Sequence, residues 1–105
     1  MEIRRINKLV VNSTSMGVKW NKNKSGASFS YLKKEINIGL GIENQYDDLE
    51  LLSLIVHELW EICCEEFRVR HRRIDCDSEY IFVYDHRQFT TISEMFSGLL
   101  KQFIK

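Results

Sequence analysis

Between Leu49 and Val69 the chain carries a helix that no single neighbour can cover. Leu51, Leu52, Ile55, Val56, Leu59, Trp60, Ile62, Cys63 and Phe67 spread over most of its circumference at ~100° per residue. One polar strip remains, made of His57, Glu58, Glu61, Glu65 and Arg68. A helix apolar on most sides must sit centrally, buried by other elements. The chain has 105 residues to build those elements, a length that suits one compact domain over 1–105.

Upstream of the helix the signals are mostly β. The first eleven residues are ambiguous: Ile3, Ile6, Leu9 and Val10 keep helical spacing, yet "KLVVNS" also serves as a strand. "GVKW" and "ASFSYL" are short strands separated by the turn-rich "NKNKSG". In "KEINIGL", Ile36, Ile38 and Leu40 alternate with Glu35, Asn37 and Gly39, the period-two pattern of a half-buried strand. "GIENQYDD" reads as a loop whose aspartates favour a helix start just beyond.

Downstream, the basic run "RVRHRR" closes the helix, as cations do near its negative end. "EYIFVYD" is the strongest strand pattern in the chain, with content that suits burial on both faces. Phe89, Ile92, Met95, Phe96, Leu99, Leu100 and Phe103 then mark a last amphipathic helix. Asp85 with Gln88, or Thr91 with Glu94, would cap it. The expected fold class is α+β: a small antiparallel sheet over roughly residues 16 to 40, packed on a central helix, then a strand and a closing helix.

Composition narrows the function classes. Hydrophobic residues make up 44% and charged residues 29%, a globular balance. Fifteen basic and 15 acidic residues cancel, which argues against nucleic acid or an anionic membrane as partner of the whole surface. No apolar run nears the ~20 residues that span a bilayer. "MEIRRINKLVV" has neither an uninterrupted apolar region nor a small-residue cleavage site. Three cysteines, two of them adjacent, make no disulfide framework and point to a reducing cytoplasm.

The chemistry concentrates in "HELWE". His57 and Glu61, four apart on a helix, converge, and both are acceptable zinc ligands. Glu58, the next residue round, stands where a general base would take a proton from a metal-activated water. A catalytic zinc needs a third protein ligand, and His86, just after a buried strand, is the choice. His71 is the rival; on a continuous helix it would lie ~21 Å beyond His57. Asp85 could orient an imidazole.

"INIGL", a loop and "LELLSLIVHELWE" together resemble the core of minimal zincin metallopeptidases, whose motif is His-Glu-x-x-His. The likeness covers about Glu35 to Glu65. It implies zinc as cofactor, His57 as first ligand, Glu58 as base, and Ile36 to Leu40 as an edge strand that aligns an extended peptide. It also implies a metal-dependent peptidase acting on a peptide or protein. Glu61 stands where the family has its second histidine. A carboxylate there keeps zinc feasible but makes the site more anionic.

Plainer readings stand beside this one. His57 is then a core histidine bonded to Glu61 or a carbonyl, and the glutamates are a solvated strip pairing with Arg68 and Arg70. Cys64 is a small buried hydrophobe and Cys76 a free thiol. A cysteine nucleophile paired with His57 or His86 has no local signature. The basic run balances the glutamates unless it grips phosphates, and "NKNKSG" near Trp20 could add to a nucleic-acid face. Gly39 and Gly41 lack the lysine and hydroxyl of a phosphate loop. The competing function is therefore a non-enzymatic module, degenerate zincin-like or unrelated, that binds a protein partner.

Overall fold

The first strand pair is a tight hairpin. β1 (Lys8–Val11) and β2 (Thr14–Asn21) run antiparallel, and Asn12 between them takes the positive φ of 55° that such a turn needs. β3 (Ala27–Ser30) and β4 (Glu35–Gly39) form a second hairpin. β4 then inserts between β2 and β3, so the sheet order is β1-β2-β4-β3 and the β2–β4 pairing is parallel. A computed structural model describes residues 2–67, 70–73, 80–83 and 85–105, with 70–73 and 80–83 as backbone alone. α1 (Asp48–Glu66), β5 (Arg70–Arg73), β6 (Tyr80–Val83) and α2 (His86–Lys101) complete it.

The α+β class holds, with one change: the sheet is mixed, not antiparallel throughout. The cause is β4. Ile36 and Ile38 are 1% and 0% exposed. Burial alone does not select an interior place, since Leu9 on the outer strand β1 is also 0% exposed; what makes the sheet mixed is the parallel pairing of β4 with β2. "INIGL" is an interior strand, and its backbone has no free edge to offer a peptide. The outer edges belong to β1 and β3.

Leu9, Val11, Met16, Val18, Ile36 and Ile38 line the sheet's inner face. α1 packs over β3 and β4, and α2 over β1. Leu51, Ile55, Leu59, Ile62 and Cys63 of α1 and Ile92 and Leu99 of α2 fill the layer between. Trp60 bridges the helices, its ring edge-on to Phe96 at 5.3 Å and to Phe89 at 6.5 Å. The central placement of α1 follows: one flank meets the sheet and another meets α2. Among the described residues no helix is long and apolar enough to cross a membrane.

Both helices begin where their caps predict. Asp47 accepts from Glu50 N at 2.8 Å. Asp85 accepts from Gln88 N at 2.8 Å while the Gln88 amide returns to Asp85 N at 3.1 Å, a complete capping box. The end of α1 differs from expectation. The helix stops at Glu66, and the basic residues Arg70–Arg73 pair with β6 in register from Arg70–Val83 to Arg73–Tyr80. Paired backbone groups over four residues outweigh a charge–dipole preference of ~0.3–1 kcal/mol. The burial of β6, the pairing of Arg68 and the Cys76 thiol lie outside the described residues.

"IGLGIE" turns out to be a clamp. Gly39 N donates to Gly26 O and Gly41 N to Lys24 O, both at 2.8 Å, so the β2–β3 loop folds onto the end of β4. Asn23 and Asn44 lock it: Asn23 Oδ1 accepts from Glu43 N at 2.9 Å, and Asn44 Oδ1 from Asn23 N at 2.8 Å. A Cβ on Gly39 would run into the Lys24 and Gly26 carbonyls. This clamp sets the direction in which the chain leaves β4 and enters α1. Gly39→Ala should therefore cost about 1–3 kcal/mol in denaturant unfolding. Gly98→Ala, on an open helical surface, should instead stabilise by ~0.5–1 kcal/mol.

Candidate metal centre

Three sequence-predicted residues meet on one turn of α1. Nδ1 of His57 lies 3.2 Å from Oε1 of Glu58 and 3.7 Å from Oε2 of Glu61. One ligand atom from each falls within 4.8 Å of the others. Two donors ~2.1 Å from a tetrahedral ion stand ~3.4 Å apart, which is near the two His57 spacings, so the group could hold a metal ion. The donor set, one imidazole nitrogen and two carboxylate oxygens, is a chemically ordinary one for a divalent metal.

Burial divides the three sharply. The His57 side chain is 68% exposed, Glu61 38% and Glu58 7%. Glu58 is the one buried charged residue among the described residues. It does not belong to the solvated strip. At ~100° per residue it falls between Leu51, Ile55 and Ile62, which are all fully buried. That alignment, at i+7, i+3 and i−4, was available in the sequence and outweighs proximity to His57 and Glu61.

Burial pushes the Glu58 carboxyl above the usual carboxylate range, and the nearby Glu61 carboxylate pushes the same way. The hydrogen bond and charge of His57 pull it back. A carboxylate removed from water needs a positive partner or a proton. His57 can be that partner, and so can a cation held by all three groups.

His86 is the first residue of α2, is exposed, and is not part of the three-residue group. Asp85, expected to orient an imidazole, spends its Oδ1 on the helix cap. His71 sits on β5 opposite Phe82, so the separation along a continuous helix does not apply to it. Cys63 and Cys64 are both buried. Burial pushes the Cys63 thiol up to about 12 and raises that of Cys64 too, which disfavours a thiolate nucleophile. Glu66 accepts from Asn12 Nδ2 at 2.9 Å, a structural bond between α1 and the first hairpin. Trp20 is spent on packing: its indole donates to Ile6 O at 2.8 Å and lies edge-on to Phe103.

The linkage of Glu58 has a definite sign. Its native pKa is raised above the ordinary 4.5, so the folded state holds the proton more tightly than the unfolded state. The associated stability is complete below the ordinary pKa and is lost as pH rises through the native value. Glu58→Gln should remove that loss, raising Tm more at about pH 7 than at about pH 4 in metal-free buffer. A flat difference between the two would place the carboxylate in a better-compensated environment than its burial implies. Comparison of the chain with protein-family models, with curated proteins and with solved structures finds no match.

Proposed function

We propose that the protein binds a divalent cation at His57, Glu58 and Glu61, and that the site serves zincin-like hydrolysis of a peptide. The observation that carries this reading is the burial of Glu58 beside two further ligand atoms at metal spacing. A buried carboxylate with one exposed imidazole for company is costly, and a shared cation offsets that cost. The zincin-like likeness of "INIGL" and "HELWE" supplies the choice of zinc. A bound zinc would supply Lewis acidity and lower the pKa of a water.

The chain's own groups have separable duties in this reading. His57 and Glu61 reach outward and hold. Glu58 either holds as a third ligand or stays free to accept a proton. In the second case a further ligand has to come from outside α1, with His86 and His71 as the histidines available. An extended peptide would lie along β3, which ends the sheet beside α1, and not along β4.

One observation favours a second reading. His57 and Glu58 are already within hydrogen-bond distance, so the pair can be self-sufficient in a non-enzymatic module that binds a protein partner.

Metal analysis of protein purified without a histidine tag separates these. About one equivalent of zinc, lost in His57→Ala, is the expected result, together with a rise in Tm on adding zinc. Wild type that takes up no metal and shows no thermal shift would sink the proposal. Glu58→Gln then assigns the carboxylate: metal lost marks a ligand, whereas metal kept with peptide cleavage abolished marks a base. Peptide cleavage that persists in Glu58→Gln would rule out the base.

A further inference from the structure

The two outer edges of the sheet are treated differently. In the β1–β2 hairpin, Asn7 O accepts from Val18 N at 3.0 Å, and the register pairs Leu9 with Met16 and Val11 with Thr14. Antiparallel alternation turns the N–H and C=O of Lys8 and Val10 to the outside. At Val10 both are taken by one side chain. Val10 N donates to Gln102 Oε1 at 2.9 Å, and Gln102 Nε2 donates to Val10 O at 2.9 Å. A primary amide that accepts and donates in this way reproduces one residue of a neighbouring strand.

Gln102 is held in position from both sides. Its own N–H donates to Leu99 O at 3.1 Å, and Phe103, the next residue, is fully buried. Beyond it the chain runs beside residues 2–4: Arg4 N donates to Phe103 O, Ile3 bridges to Ile104, and Lys105 N donates to Glu2 O. The β3 edge has no comparable side-chain pairing among the described residues.

We infer that Gln102 is an edge guard, and that β1 without it accepts β1 of a second copy of this chain. The surface is self-complementary. In a two-fold arrangement centred on Leu9, Lys8 of one copy faces Val10 of the other. Each such pair exchanges two backbone hydrogen bonds, and the two lysines do not oppose one another. Val10, 49% exposed, adds apolar contact on the outward face. The β1 edge carries no proline or bulge, so the amide is the device that closes it.

Light scattering across a concentration series tests this with wild type, Gln102→Ala and Gln102→Ala/Val10→Pro. Gln102→Ala should shift the average mass toward twice that of the chain at concentrations where wild type does not. Proline at Val10 removes only an outward N–H, so the double variant should return to the wild-type mass. Gln102→Ala with the wild-type mass throughout overturns the inference, and so does an association that Val10→Pro leaves intact. Hydrogen exchange on the unaltered protein is the second readout. The Val10 amide should exchange about tenfold or more slowly than the Lys8 amide, and equal rates would overturn the guard.

Discussion

β4 has neighbours on both edges, and much of the molecule follows from that. β4 lies between β2 and β3, parallel to the first and antiparallel to the second, and that makes the sheet mixed. The same insertion makes β3 an outer strand. It also brings the end of β4 against the β2–β3 loop, where two glycine amides and two asparagine side chains fasten the chain before it enters α1. The direction of α1, and with it the outward reach of His57 and Glu61, is set at that fastening. Glycine is required at residue 39 for closeness of approach and at Gly41 for a φ of 88° as well.

Local signals in the sequence were legible where a local interaction decides the outcome. Period two in "KEINIGL", the Asp47 cap and the Asp85–Gln88 box all concern residues within a few positions of each other. Apart from the burial of Glu58, which is a matter of local spacing, the differences arise at longer range. Strand direction depends on which strand β4 joins, and no side-chain pattern in β4 encodes that. "RVRHRR" looked like the cationic end of a helix, but Arg70–Arg73 pair with β6, whose strand pattern begins several residues away. In both cases backbone pairing with a distant segment overrode a local preference.

Of the candidate site, the helical half was legible and the rest was not. Spacing alone brings His57 and Glu61 together on α1. Spacing also puts Glu58 on the core side, although its charge argues for water. A distant third ligand has no such spacing to mark it: His86 follows a strand pattern, and it is exposed at the start of α2. The site as built is lopsided: one group inside, two outside, all from a single helical turn. Such a turn can be rigid without a metal, since its own hydrogen bonds hold the backbone.

The segment that follows α2 meets residues 2–10, contacts separated by more than ninety positions in the chain. Contacts of that span are the slowest to form, because the loop they close is nearly the whole molecule. Synthesis delivers residues in order, and β1 and β2 emerge long before Gln102 does. The hairpin can therefore pair early while its outer side stays open. The interval between those two events is the period in which neighbouring chains on one message would meet at that side. A single late amide thus makes the timing of completion, and not only the finished fold, part of how the chain stays separate.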